Sequence, residues 1–469
     1  MTIAGPWVIV GVPLVVAAAL QVLRRWTTVA AWVGAFTAAA MGALLAFAPA
    51  DGEIGLGRLT LALYEPLVFR GRELVIGGSD PWALAFLFFT TAGLLVIAWR
   101  LLPQSLFFPA ALATAALLAA ALMASQVVYV ALFIEMAALL IVFPLQESGG
   151  SGGLRYMTYA TLALPGLMVT QLLLDLFAVF PNDEGLLVTS AALLSLSFAI
   201  LFGAVPFQSW LSTVATDGSP PVVTFIFTAQ LGTVWFMLLD YLQTYLWLER
   251  QAALGTMLTN LGIVMIVLGG LLAAAQRRLG RLVGYAMLAD NGAMLLALGS
   301  ERTEGMALAM LILLARPLAL GLMTLGLQGL RDFGQGSDAH ERLMGAAWHV
   351  PWRAAAFLIG GVAMAGFPVS PGFAARWGLY HLLARRSFFL TTAALLGSAG
   401  VMLGVVGAIR ALLTPEKPVG GRPVTVAEDR VVIVLVVALI VATVLLGLFP
   451  QTLGRTALHL AEGYTFFGP

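Results

Sequence analysis

What governs this chain is the repetition of apolar runs of spanning length. A helix crosses the hydrocarbon core of a bilayer with about 20 mainly apolar residues. By that measure fourteen such runs are present, at approximately 5–22, 28–48, 82–99, 105–124, 126–145, 155–180, 186–205, 220–247, 253–275, 281–299, 304–329, 353–384, 388–413 and 431–449. Inside lipid each backbone N–H and C=O must be satisfied within its own segment, so runs of this kind are helices. The expected fold is therefore an all-α integral membrane protein. Charged residues make up only 10% of the chain, against roughly 25% in a soluble domain. The longest polar interruptions, about 49–81, 331–352 and 415–429, are too short to bury a core of their own. A net charge of +1 without a basic tract implies no nucleic-acid partner, and the absence of cysteine excludes disulfides, thiolate chemistry and Fe–S ligation in this chain. His340, His349, His381 and His459 are scattered and form no metal-binding pattern. Gly5 to Val22 has no basic leader and is followed at once by another apolar run, so it reads as a retained helix rather than a cleaved signal peptide.

Two of these runs are interrupted. From Ser197 to Leu231 the chain reads SFAILFGAVPFQSWLSTVATDGSPPVVTFIFTAQL. The helix is expected to break at Ala204 to Phe207, to cross a polar turn from Thr213 to Ser219, and to restart behind Pro220 and Pro221. A second break of the same character is expected in GFPVSPGF, Gly366 to Phe373, with Arg376 just beyond it. Irregular backbone at membrane depth is tolerated only where protein or water satisfies the freed groups, and paired breaks in corresponding halves of a chain point to a transport site. Packing kinks are the plainer reading of the same residues.

Charge fixes orientation and marks the interior. Loops after odd-numbered helices hold 14 of the 24 basic residues, and loops after even-numbered helices with the C-terminal tail hold 8. The positive-inside rule then places both termini on the outer side. The remaining two, Arg316 and Arg376, fall inside apolar runs, as do Glu135 and Asp290. A charge at the bilayer centre costs about 2.5–3.5 kcal/mol on insertion scales, so each needs a partner. Asp290 and Arg316, on consecutive helices, are expected to pair, and Arg376 to donate to carbonyls freed by Pro368 and Pro371. Asp175 and Asp240 fall near helix ends and read as interfacial. The stretch Asp51 to Asp80 alternates apolar and polar residues and reads as an outer-side hairpin. ESGGSGG, Glu147 to Gly153, reads as a flexible loop, and Pro415 to Asp429 as a connector. The small residues of GIVMIVLGGLLAAA, 262 to 275, suit close helix packing.

Three motifs in order, VPFQSWLSTVATDGSPPV, QRRLGRLVGYAMLADNG and AMAGFPVSPGFAARW, resemble the antiporter-like membrane subunits of respiratory complex I, multisubunit cation/proton antiporters and membrane-bound hydrogenases. The resemblance covers nearly the whole chain. The WHVPW before helix 12 and the end GLFPQTLGRTALHLAE are similar to subunit N of complex I. It implies fourteen helices, with helices 4 to 8 and 9 to 13 forming two inverted five-helix repeats and with helices 7 and 12 discontinuous. The corresponding segments here are 1–104 (helices 1–3 with the outer hairpin), 105–250 (first repeat), 251–414 (second repeat) and 415–469 (connector and helix 14). Members carry protons along a midplane chain of a glutamate on helix 5, lysines on helices 7 and 8, a histidine or lysine near helix 10, and a lysine or glutamate on helix 12.

This chain keeps only part of that series. Glu135 matches the helix-5 glutamate, but the two lysine positions fall on Leu201 and Leu231, with Gln230 beside the second. The helix-10 position is Asp290 and the helix-12 position Arg376. Lys417, in the connector, is the sole lysine. Arginine stays charged and cannot substitute for lysine as a carrier, and leucine carries nothing. Gln230, Thr228, Thr224 and Ser197 are the few polar side chains on offer to a water chain. The proton-path candidates are thus Glu135, Asp290, Arg376, Arg316 and Gln230.

The resemblance implies a membrane-arm subunit of a proton-translocating, NADH–quinone oxidoreductase-type assembly in the bacterial plasma membrane. Its partners would be other membrane subunits. No cofactor is expected in this chain; quinone, flavin and Fe–S clusters are implied only in partner subunits. The alternatives are a subunit of a cation/proton antiporter, a membrane hydrogenase or an inorganic-carbon uptake complex, and a scaffold subunit that does not pump.

Overall fold

A computed structural model describes residues 2–49, 52–56, 59–69, 72–77, 80–245, 253–300, 303–415 and 428–464. The principal helices are α1 (Gly5–Leu23), α2 (Thr27–Ala46), α3 (Asp80–Ala98), α4 (Phe107–Met123), α5 (Val127–Gln146), α6 (Gly152–Val179), α7 (Glu184–Leu201), α8 (Ser209–Asp217) and α9 (Pro220–Thr244). They continue with α10 (Ala253–Ala274), α11 (Leu279–Leu298), α12 (Thr303–Phe333), α13 (Pro351–Met364), α14 (Pro371–Ala384), α15 (Phe388–Leu413), α16 (Arg430–Leu448) and α17 (Gln451–Glu462). Among the described residues eleven helices are long and apolar enough to span a membrane. The chain is an integral membrane protein. Most of the connector, including Lys417, lies outside the described residues.

Two compact units emerge. The first holds residues up to Phe202 together with Phe225–Leu248, and the second holds Gly203–Thr224 together with the chain from Glu249 onward. In the first, α4 is apolar all round and buried along its length against α1, α3 and α5, as a helix surrounded by other helices must be. In the second, α10 packs against α11 and α15 through glycines. A Cβ on Gly269 would lie 2.6 Å from the Ala289 nitrogen, and one on Gly270 would overlap the Gly397 carbonyl. Close approach of this kind is what small residues allow.

Where the outer-side hairpin was expected there are two. Strand β1 (Thr2–Ala4) pairs parallel with β3 (Leu59–Ala62), which pairs antiparallel with β2 (Glu53–Leu56). A separate antiparallel pair joins β4 (Leu67–Phe69) to β5 (Arg72–Leu74). Pro66 separates the two sheets because it has no N–H to donate to a continuing ladder.

The first break follows the expected position but not the expected form. Helix α7, opened by Asp183 accepting from the Gly185 N–H at 3.1 Å, ends at Leu201. Gly203 follows at φ +64°, a conformation that favours glycine, and the Val205–Pro206 bond is cis. The polar stretch beyond is helical as far as Asp217, so the turn shrinks to Gly218 and Ser219. Its hydroxyls explain this: Thr213 donates to the Ser209 carbonyl at 2.9 Å and Thr216 to the Ser212 carbonyl at 2.7 Å. With the polar groups satisfied inside the helix, Trp210, Leu211, Val214 and Ala215 form its buried face. Within α9 the residues Ile226–Gln230 form a π-turn.

Arg331 holds the carbonyl end of α8. It donates to Gly218 at 2.6 Å, to Ala215 at 3.0 Å and to Thr216 at 2.9 Å, and pairs with Asp338 at 2.9 Å. Pro220 cannot donate to the Thr216 carbonyl four residues back, so the guanidinium takes that place. Arg331→Ala should destabilise the full chain by about 3 kcal/mol, the range for breaking one side of a buried pair. A drop in the thermal midpoint in detergent would register it, and a midpoint within error of the parent would show that α8 needs no such cap.

Arg281 is in the first turn of α11, Arg353 in that of α13, and Arg410 in the last turn of α15. Long cationic side chains can stay at helix ends while their heads reach the interface. The C-terminal tail holds a further helix, α17, that packs on α12.

Candidate functional site

The second break organises the polar centre of the second unit. Helix α13 ends at Met364, and the chain passes through Gly366 at φ +73° and Val369 at φ +71° before α14 begins at Pro371. Pro368 leaves the Met364 carbonyl without its usual donor, and Arg376 supplies one from Nη2 at 3.1 Å. The carbonyl that Pro371 leaves free, on Phe367, accepts from the Ser370 hydroxyl at 2.7 Å. A Cβ on Gly366 would overlap the Arg376 side chain, so glycine is required there for space as well as for backbone conformation.

Arg376 also forms an ion pair with an acid on another helix. Its Nη2 meets Asp290 Oδ1 at 2.8 Å, while Arg316 Nε meets Asp290 Oδ2 at 2.8 Å. Asp290 on α11, Arg316 on α12 and Arg376 on α14 are 4%, 2% and 3% exposed, so the three charges are withdrawn from solvent together. Arg316 Nη2 further donates to Asn291 Oδ1 at 2.9 Å and contacts Met294 Sδ at 2.8 Å. Arg376 Nη1 reaches the Ser398 hydroxyl at 3.4 Å, to which Tyr380 also donates. The expected Asp290–Arg316 pair is present as two members of a triad. Arg376 stood out in the sequence as a deep cation without an acid on its own helix, which is the signal that a third member was needed.

Chemically the triad is a fixed charge centre. Guanidinium groups keep their protons at any physiological pH. Asp290 is held between two of them, one on each oxygen, as their shared counter-charge. The cluster carries two positive charges and one negative.

Glu135 sits in the first unit in different company. Its Oε1 accepts from Thr161 of α6 at 2.6 Å, and its Oε2 is buried without a hydrogen-bond partner. The Tyr156 hydroxyl, also on α6, lies near Gln230 and Glu135. Gln230 is buried at the end of the π-turn, and its Oε1 has no partner. Among the described residues no cation pairs with Glu135. Glu135, Tyr156 and Gln230 therefore form one polar group, of which Tyr156 and Thr161 were not singled out from the sequence; both lie on α6, amid an apolar run with no charge to mark them.

Leu201 and Leu231 are 8% and 2% exposed. Their neighbours along the helices are aromatic: Phe198 stacks on Phe202 at 6.2 Å between ring centroids, Phe202 meets Trp235 edge-on at 6.0 Å, and Phe198 meets Tyr241 at 5.7 Å. This part of the first unit is packed with rings. Of the other polar side chains, Ser197 bonds back to the Leu193 carbonyl at 2.9 Å, and Thr224 is hydrogen-bonded to Thr324.

Interrupted membrane helices, one of them closed around a buried ion triad, define a polytopic helical protein with charge held in its interior. The chain belongs to the NADH:quinone oxidoreductase/Mrp antiporter transmembrane family, whose model matches residues 155–403. It is 28% identical over 263 residues to a protein named NADH-quinone oxidoreductase subunit N from Methylococcus capsulatus, covering 55% of this chain and 52% of the relative. It is also 28% identical over 332 residues to subunit N from Rhodococcus opacus, covering 67% and 56%. The chain thus spans about half the length of the curated relatives it matches. Among solved structures, a chain in the Mrp complex from Dietzia sp. superposes with a TM-score of 0.78 at 17% identity, covering 98% of this chain and 97% of that one. A chain in respiratory complex I from Thermus thermophilus superposes with a TM-score of 0.76 at 21% identity, covering 99% and 100%. At these identities the likeness is one of fold.

Proposed function

We infer that this chain is a membrane-arm, antiporter-like subunit of a complex I-type assembly that translocates protons, and that its own lysine relay is lost. The observation that carries the second part is the pair Leu201 and Leu231, buried where the family resemblance puts lysines. The Asp290 triad supports it, because an arginine at the helix-12 position binds its counter-charge permanently and passes no proton on. Family membership and the names of the relatives support the first part.

The architecture of this reading has fourteen spanning elements. It adds to the eleven long helices the shorter α4, the charged α11, and α13 with α14 as one broken helix. α7 with α8 is the other broken helix, and the two breaks are the counterparts of each other in inverted repeats over 105–250 and 251–414. Both termini lie on the outer side by the positive-inside count. Quinone, flavin and Fe–S chemistry belong to partner subunits. Purification of the native assembly and identification of its subunits tests the reading. Copurifying quinone-reductase or hydrogenase subunits are expected. A set of antiporter subunits without redox centres would move the chain to the Mrp-type complexes, whose structural likeness is equally close, and a lone homo-oligomer would overturn both.

A further inference from the structure

The tight turn between α1 and α2 holds Arg24, Arg25 and Trp26, all exposed. The carboxyl end of α3 comes to the same place. Trp99 Nε1 donates to the Thr28 hydroxyl at 3.1 Å, the Gln104 N–H donates to the Thr27 hydroxyl at 3.0 Å, and the Trp99 ring meets Trp32 edge-on at 5.5 Å between centroids. Arg100 lies over the Trp99 ring at 4.9 Å. Guanidinium and indole groups thus gather at one level, where α1 and α3 end and α2 begins. Among the described residues neither Arg24 nor Arg25 is in an ion pair. A carboxylate at this end, Glu147, is taken up by the Ser105 hydroxyl at 2.5 Å and the Leu106 N–H at 2.9 Å.

An apolar seam leads away from this cluster. Trp32 against Trp99 at one point and Gly42 against Phe89 at another set α2 and α3 antiparallel along it. Phe36 falls between those two contacts on α2, and Gly93 falls between them on α3. Val33, Phe36 and Phe89 are exposed. Gly93 is exposed too, and a Cβ there would have nothing within 4 Å, so the seam holds an open slot between aromatic rings.

We propose that this end of the α2–α3 seam binds an anionic phospholipid, with the phosphate at Arg24, Arg25 and Arg100 and an acyl chain lying along the seam over Gly93. Guanidinium forks match phosphate oxygens in pairs, and indoles sit well at the level of lipid headgroups. Gly93 is six residues along α3 from Trp99, about 9 Å at the helical rise, which an acyl chain hung from that headgroup spans. On the positive-inside count this end faces the cytoplasmic leaflet, where anionic lipids attract basic clusters. A choline headgroup would bring its own cation against the arginines, so the site selects phosphatidylglycerol over phosphatidylcholine. The site does not depend on which assembly contains the chain.

The full-length chain in mild detergent, exchanged into micelles with equal amounts of these two lipids, provides the test. Mass spectrometry of the intact protein–lipid complex should show phosphatidylglycerol retained in preference. Arg24→Gln with Arg25→Gln should reduce that preference by at least about fivefold, the share of one arginine near a membrane surface. Gly93→Leu fills the slot without a clash and should lower retention of phosphatidylglycerol with all three arginines in place, which surface attraction alone does not predict. Should a variant fail to fold, the parent decides: phosphatidylglycerol with a photoreactive acyl chain should label α2 and α3 near Phe36 and Gly93. Equal retention of the two lipids, unchanged retention in Gly93→Leu, label spread evenly over the exposed helices, or a partner subunit seated on this seam in the native assembly would each overturn the assignment.

Discussion

Asp290→Leu is expected to be far more damaging than Arg316→Leu, although the two residues are partners. Losing Asp290 leaves two guanidiniums side by side in an apolar interior with no acid between them. Removing one partner of a buried pair costs about 3–5 kcal/mol, and here two cations are stranded at once. Losing Arg316 leaves Asp290 paired with Arg376 at 2.8 Å and the cluster electrically neutral. That change forfeits hydrogen bonds to Asn291 and Asp290, worth about 1–3 kcal/mol together. The double change, Asp290→Leu with Arg316→Leu, falls between them because Arg376 is then alone. A two-member pair would give the opposite order, with the double change milder than either single one. Thermal midpoints of the full chain in detergent, together with its abundance in membranes, rank the three variants. If Arg316→Leu proves as costly as Asp290→Leu, the triad is not balanced by charge and Arg376 contributes only its bond to the Met364 carbonyl.

How much of this could be read beforehand depends on the range of the interaction. Helix existence follows from the length and apolarity of each run, and the two breaks follow from local chemistry. Pro206 and Pro368 lack backbone donors, and Gly203 and Gly366 accept positive φ, so both positions are visible in a dozen residues. The helical character of Thr213–Asp217 was hidden because the same hydroxyls suit a turn or a helix, and burial of Trp210, Leu211 and Val214 decides between them. The Asp290–Arg316 pair was legible because consecutive helices pack together. Arg376 joins them from 86 residues away, and nothing in its own neighbourhood says which acid it meets. Tyr156 was invisible as a neighbour of Gln230 and Glu135 for the same reason. Aromatic hydroxyls in apolar helices carry no signal of polar company until the helices are packed.

In the proposed complex I-type assembly, Glu135→Gln should leave the proton-to-electron ratio unchanged. Glu135 is bonded to Thr161 and lies near Tyr156 and Gln230, but beyond Gln230 the helix presents Leu231, and α7 ends on Leu201, both buried. A proton accepted at Glu135 has no titratable side chain to move to at either family lysine position. Leu201→Lys with Leu231→Lys should not raise the ratio either. Each ammonium would enter surroundings that include Phe198, Phe202 and Trp235, where an unpaired charge costs several kcal/mol and the amine stays neutral instead. Those variants are expected to assemble poorly, with the loss visible on native gels, rather than to gain transport. Proton uptake into proteoliposomes at matched electron flux reads the ratio directly. A clear fall for Glu135→Gln, with normal assembly and normal electron transfer, would mean that a water wire anchored on Glu135 conducts protons past the two leucines, and that the side-chain series is not the path this subunit uses.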